Sequence, residues 1–268
     1  MSEGRGGSGG PVAGAVREHP VVVVTGSAGG IGRALAVEAA VRGARVVVNS
    51  RRVERLADVV ADVEAAGGEV LAVGADLRHG DQADRLAAET VERFGRLDVL
   101  VNNAAGLFFA PAEELTENGW RSVVDANLTT TFLACRAAFP YLRDQGGGTI
   151  CNLSSVAALR PHPHASHYAA AKAGVNSLTE TLAYEWAPHG IRVNAVVLGA
   201  VLTEASRFHR DVDRALMEAQ LPGGRIVTPD EVAAAVLDLC FVETSYLTGA
   251  VVRLDGGFRG VMAPPEAP

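Results

Sequence analysis

From Pro20 onward, short runs of β-branched residues alternate with longer alanine-rich stretches of helical period. The runs are Pro20 to Thr25, Arg45 to Asn49, Glu69 to Val73, Leu97 to Asn102, Thr149 to Leu153, Ile191 to Val197 and Val251 to Leu254; each but the last leads into a helical pattern. Runs that are apolar along their whole length belong to strands buried on both faces, and helical crossovers make such strands parallel. The expected architecture is therefore α/β: a doubly wound, seven-stranded parallel sheet with helices on both faces. Nothing between residues 19 and 260 resembles an interdomain linker, so this stretch is expected to form one domain. Residues 1–18 read as a flexible Gly-rich leader and residues 261–268 as a tail.

Composition narrows the partners. The formal charge is −7, from 24 Lys+Arg against 31 Asp+Glu spread along the chain, which argues against a nucleic-acid partner. No apolar run approaches the ~20 residues of a bilayer span, so no membrane association is expected. The leader lacks the apolar segment of a secretory signal. Cys135, Cys151 and Cys240 are odd in number and far apart, and read as small buried residues of a reducing compartment. The expected location is cytoplasmic.

The first run opens into Thr25-Gly26-Ser27-Ala28-Gly29-Gly30-Ile31-Gly32 and then a helical pattern. Glycines there let the backbone turn tightly and approach a pyrophosphate, which rests on the unpaired amides of a helix N-terminus. The loop has no GK[ST] ending, which excludes a Walker A site. A carboxylate about twenty residues on would take the adenosine ribose hydroxyls of NAD(H). The second run instead ends in Ser50-Arg51-Arg52. A hydroxyl followed by a guanidinium suits a 2′-phosphate, because arginine offers a bidentate fork where a carboxylate would repel. The expected cofactor is NADP(H) in preference to NAD(H).

Tyr168 and Lys172 stand four residues apart, on one face of a helix. A phenol is a poor acid–base at neutral pH because its ordinary pKa is ~10, but a neighbouring ammonium and an oxidised nicotinamide both favour the phenolate. The pair is then suited to exchanging a proton with a carbonyl or alcohol oxygen.

With these residues in hand, the chain resembles the short-chain dehydrogenase/reductase family, and within it the NADP(H)-type 3-oxoacyl-ACP reductase-like members. The resemblance runs from about Val21 to Phe258. It rests on the TGxxxGxG loop (Thr25, Gly26, Gly30, Gly32), on Asp76-Leu77 after the third run, and on Asn102-Asn103-Ala104-Ala105-Gly106 after the fourth. It also rests on Asn127 and Ser155 at the family's spacing from Tyr168 and Lys172. The resemblance implies a Rossmann-type fold and an Asn-Ser-Tyr-Lys tetrad. Tyr168 would be the general acid/base, Lys172 would lower its pKa and hold the nicotinamide ribose, Ser155 would orient the substrate oxygen, and Asn127, in a helix, would hold a relay water. The cofactor would lie along residues 26–32, Ser50, Arg51, Asp76, Leu77, Asn103, Ala104, Tyr168, Lys172, Val201 and Thr203. Where the family usually has Pro-Gly, this chain has Leu198-Gly199. A homodimer or homotetramer through the helices bearing Asn127 and Tyr168 is also implied.

On the substrate side, Arg160-Pro161-His162-Pro163-His164-Ala165-Ser166-His167 should line the cleft mouth. A metal is not expected, because no nearby carboxylate or cysteine completes a site. His164 and His167 are instead expected to bind a polar group of the substrate, with Phe108, Leu198 and Phe208 as apolar lining. Residues from Glu204 to Pro222 are expected to form a helical flap with Phe208 and His209 facing inward. The expected substrate is a small carbonyl compound or secondary alcohol. Two other functions compete: an enoyl-thioester reductase, because Trp120 and Glu185-Trp186 resemble 2,4-dienoyl-CoA reductases, and a non-catalytic NADP(H)-binding regulator. The retained Tyr168 favours carbonyl chemistry.

Overall fold

A computed structural model describes residues 18–204, 214–242 and 246–260. Its strands are β1 (Val21–Val24), β2 (Arg45–Ser50), β3 (Val70–Gly74), β4 (Val99–Asn102), β5 (Gly148–Ser155), β6 (Ile191–Leu198) and β7 (Val251–Leu254). They form one seven-stranded sheet in the order β3-β2-β1-β4-β5-β6-β7, parallel throughout. The helices are α1 (Gly30–Val41), α2 (Ala57–Ala65), α3 (Gly80–Phe94), α4 (Glu117–Val124), α5 (Thr130–Asp144), α6 (Ser166–Trp186), α7 (Arg214–Ala219) and α8 (Pro229–Phe241).

The sheet is largely apolar, and the helices cover it from both sides. Every residue of β1 and β6 is buried. Val22 and Val24 pack with α1, α2 and α8, whereas Val21 and Val23 pack with α3, α5 and α6. Successive side chains of a strand point to opposite faces, so a run of valines feeds two cores at once. Alanines set the helix spacing: Ala36, Ala39 and Ala40 of α1 and Ala233 of α8 are buried where these two helices pack closely.

The chain winds outward from β1 to β3, then crosses back to β4 beside β1. The connections after β1 and β4 therefore diverge, and a crevice opens at their C-terminal ends, the usual ligand position in such sheets. Thr25, Ser50, Asn103 and Ser155 all stand at or just past strand ends on this edge.

Two helical stretches are locally irregular. The one after β2 begins as a tight 3₁₀ turn, Val53–Leu56, with α2 proper starting at Ala57. Asn127 lies in a five-residue π turn, Asp125–Thr129, between α4 and α5. No helix among the described residues is long and apolar enough to cross a membrane. Cys135, Cys151 and Cys240 are buried free thiols, and burial pushes that of Cys135 up to about 12. The leader up to residue 17, the tail from 261, and Phe208 and His209 in the expected flap lie outside the described residues.

Candidate active site

The loop after β1 is stitched to the end of β4. The Thr25 hydroxyl accepts from the Asn103 and Ala104 amides at 3.0 Å each. The Asn103 side chain donates to the carbonyls of Thr25 (2.9 Å) and Gly26 (3.0 Å). Two glycines are needed here by contact. A Cβ on Gly26 would lie 2.7 Å from Ala104 Cα, and one on Gly32 would lie 2.5 Å from the Gly26 carbonyl oxygen and 2.6 Å from Asn103 Nδ2. The first helical bond of α1 runs from the Arg33 amide to the Gly29 carbonyl, so the amides of Gly30, Ile31 and Gly32 lack helical partners, as a first turn dictates. A Cβ on Gly29 would meet nothing within 4 Å. Free amides beside open space at a helix N-terminus make a donor set that fits a pyrophosphate.

Ser27 anchors the loop from below. It is fully buried and exchanges hydrogen bonds with the backbone of Asn49 (2.8 and 3.3 Å), tying the loop to β2. Beyond β2, Arg51 and Arg52 are exposed and make no ion pair with another described residue. The carboxylate of Asp76 is held by Arg78 at 2.5 Å, which keeps it below the usual carboxylate range. The side chain of Leu77 is buried in the core, leaving its main chain for contact at the sheet edge. Thr203 approaches Gly30 from the other side of the crevice: a Cβ there would stand 3.4 Å from the Thr203 methyl.

Ser155 ends β5, and its Oγ accepts from the Ala157 amide at 3.2 Å. Tyr168 and Lys172 stand one turn apart on α6, with Lys172 Nζ 5.7 Å from the centre of the phenol ring. Nζ donates to the Leu153 carbonyl at 2.8 Å and is buried. Burial lowers the Lys172 ammonium to about 8 and pushes the Tyr168 phenol up, while a hydrogen bond with Ser155 draws the phenol back down. The structure thus brings Ser155, Tyr168 and Lys172 together. The π turn carrying Asn127 packs against α6. Asn127 Nδ2 donates to the carbonyls of Gly106 (2.7 Å) and Val123 (2.8 Å), and its Oδ1 is buried without a partner among the described residues.

A polar seam that the sequence reading missed seats α6 on the sheet. Asn102 donates to Asn152 at 2.8 Å, Asn152 donates to Thr179 at 2.9 Å, and the Ser154 hydroxyl donates to the Lys172 carbonyl at 3.3 Å. The signal was polar residues inside otherwise apolar runs of β4 and β5.

The three histidines of the expected cleft mouth take different positions. His164 is exposed, in the left-handed region at φ 60°, and its carbonyl accepts from the Ala110 amide at 2.8 Å. His167 is fully buried, edge-on to Phe108 with ring centres 4.7 Å apart. The histidine that meets the tyrosine is His162: it stacks on Phe109 at 5.9 Å and lies 6.4 Å from the Tyr168 ring. Burial holds both His162 and His167 below the usual histidine range. Leu198 and Val201 are buried and pack with the core residues Leu153 and Val196, because Leu198 ends and Val201 follows a strand buried on both faces.

Comparison with known proteins agrees with this geometry. The family model described as short chain dehydrogenase matches residues 20–213. A 3beta-hydroxysteroid dehydrogenase 1 of Eggerthella lenta is 42% identical over 240 residues, 88% of this chain and 92% of that protein. A probable 2,4-dienoyl-CoA reductase of Bacillus subtilis is 38% identical over 245 residues, 90% of this chain and 96% of that one. The crystal structure of a short-chain type dehydrogenase/reductase from Mycobacterium marinum superposes with a TM-score of 0.85 at 33% identity, covering 89% of this chain and 94% of that one. The chain therefore belongs to the short-chain dehydrogenase family of oxidoreductases.

Proposed function

We propose that the chain interconverts a carbonyl compound and the corresponding secondary alcohol using NADP(H), with Tyr168 as general acid/base. The observation that carries this reading is a partly buried phenol beside Ser155, with a buried ammonium 5.7 Å from its ring. The cofactor, when bound, supplies or accepts the hydride. The amides of Gly30, Ile31 and Gly32 would hold its pyrophosphate within the 26–32 loop, with Ser27, whose amide and hydroxyl both bond to Asn49, holding that loop against β2. Ser50 and Arg51 would hold the 2′-phosphate, Asp76 and the Leu77 main chain the adenine, and Asn103, Ala104, Val201 and Thr203 the remainder along the crevice.

In reduction, Tyr168 Oη gives its proton to the substrate oxygen while Ser155 Oγ donates a hydrogen bond to the same atom; in oxidation, Oη takes the proton back. Lys172 stabilises the phenolate by its charge and would hold the nicotinamide ribose hydroxyls. A proton returning to Tyr168 from solvent passes by way of Lys172 and the Asn127 turn. Phe108, Phe109 and Leu107 favour an apolar skeleton around the carbonyl. The exposed Phe132 of α5 and Tyr184 of α6 favour a homodimer or homotetramer through these helices, in the cytoplasm.

The similarity to a probable 2,4-dienoyl-CoA reductase favours enoyl-thioester reduction as the second reading. The test is a panel of a 3-ketosteroid, a 3-oxoacyl thioester, a simple ketone and a 2,4-dienoyl-CoA, each with NADPH and with NADH, products identified by mass spectrometry. Alcohol products with NADPH support the proposal; saturation of the carbon–carbon bond alone, or no turnover of any substrate, overturns it.

A further inference from the structure

A pocket of about 230 Å³ opens where the chain leaves β6 and β7. Its apolar walls are Ala200 after β6, Leu221 after α7, Val227 before α8 and Leu254 at the end of β7. Among the described residues, neither the tetrad nor the glycine loop lines it. Its charged groups already satisfy one another. Arg225 clasps Glu231 through bonds of 2.7 and 2.5 Å, and Glu231 also accepts from the Thr228 amide at 3.0 Å. Asp255 accepts from Arg253 at 2.9 Å and from the Gly257 amide at 3.1 Å. A charged ligand would give up hydration here without gaining a counter-charge, whereas a neutral apolar body gains from burial. An apolar cavity of about 150 Å³ takes benzene, so this volume suits a body of one or two rings.

The pocket shares its walls with the segment that leads to the coenzyme crevice. The Gly199 amide donates to the Leu254 carbonyl at 3.2 Å, and the Leu202 amide donates to the Val227 carbonyl at 3.1 Å. Residues 199–202 are thus hung between two walls of the pocket, and Ala200, between the two bonds, forms a third. The next residue, Thr203, is the one that approaches Gly30. We infer that this pocket binds a small neutral molecule with an aromatic or alicyclic body, and that its occupant raises coenzyme affinity through residues 199–203. An occupant packed on Leu254 and Val227 braces this segment in the position it holds beside Gly30, and so favours the state that takes the coenzyme.

The test titrates the full chain with indole by calorimetry, with and without saturating NADPH, and titrates NADPH with and without indole. Benzoate and benzylamine are the charged controls. Indole is expected to bind with a dissociation constant on the order of 0.1–1 mM, in keeping with about nine buried non-hydrogen atoms, and the charged rings at least about 10-fold more weakly. Indole should tighten NADPH about 5-fold or more, and NADPH should tighten indole by the same factor, a reciprocity that a chance surface contact does not give. Gly223→Phe sets a ring at the pocket lining where an added Cβ meets nothing within 4 Å, and Val227→Phe enlarges a wall. Each should weaken indole about 10-fold, and Gly223→Phe should leave NADPH binding without indole as in the unaltered chain. Indole that does not bind, that binds both variants as well as the parent, or that leaves NADPH affinity unchanged or lowers it overturns the assignment. So does indole binding that falls as the chain is concentrated, since a second copy then covers the pocket. The coupling rests on the reading that Val201 and Thr203 hold the coenzyme. Failure of both NADPH and NADH to bind overturns that reading along with the coupling, whereas a coenzyme that binds without responding to indole overturns the coupling alone.

Discussion

Lys172 shows how a single residue couples chemistry to folding. Its ammonium is held at about 8 instead of 10.5 because it is buried, so at neutral pH the folded chain carries a charge it would shed more readily than the unfolded chain. That difference is a folding penalty of about 3 kcal/mol. Between pH 8 and 10.5 the unfolded state binds more protons than the folded one, so the penalty fades and stability rises. Lys172→Met removes the penalty and the bond to the Leu153 carbonyl, the latter costing about 1 kcal/mol. The variant is expected to be inactive yet about 2 kcal/mol more stable at pH 7, the gain disappearing by pH 10.5; denaturant melts across that range check it. Tyr168→Phe should lower kcat/KM by about 10²- to 10⁴-fold in steady-state assays, the range for loss of a general acid. Arg51→Asp should weaken NADPH about 10- to 100-fold more than NADH in fluorescence titrations, since it replaces a charge-assisted fork with a repulsion. These residues were legible because Tyr168 and Lys172 share a helix face whatever the fold does elsewhere. His162 was not, because the turn through Pro161, Pro163 and the left-handed His164 has no fixed period from which to read which ring faces inward.

At the scale of elements, the glycine loop is a close-packed joint more than a flexible one. Gly32→Ala drives a methyl into the Gly26 carbonyl and the Asn103 amide, and should cost about 1–3 kcal/mol in thermal unfolding. Gly29→Ala, in open space on extended backbone, should melt within a degree or two of the parent chain. Strands and loop were readable in advance because their determinants are local: uninterrupted β-branched runs, and glycines at the mouth of a helix. The π turn at Asn127 was hidden because one extra residue within a helical stretch does not disturb a pattern read in steps of three and four. The burial of Leu198 was hidden for the opposite reason: its neighbourhood to the tetrad in sequence said nothing of its packing at the end of a doubly buried strand. The Asn102–Asn152–Thr179 seam joins β4, β5 and α6 and was legible only as isolated polar letters.

For the whole molecule, one sheet carries both helical layers and the crevice between its diverging halves, so ligand binding and global stability are linked. A cofactor at a hundred times its dissociation constant should stabilise the fold by about 2.7 kcal/mol, a rise in Tm of about 5–10 °C for a chain of this size. NADPH should give a larger rise than the same concentration of NADH; equal rises would remove Arg51 from the coenzyme site. The strand order has a consequence for inheritance. The glycine loop, Ser50, Arg51 and Asp76 all precede the end of α3 at Phe94, whereas Asn127, Ser155, Tyr168 and Lys172 all follow it. The two stretches meet along one strand seam, β1 against β4, and two helix contacts, α1 against α8 and α3 against α5. A genetic crossover after Phe94 would therefore exchange coenzyme preference as a cassette, and leave the carbonyl chemistry to be inherited, and diversified, on its own.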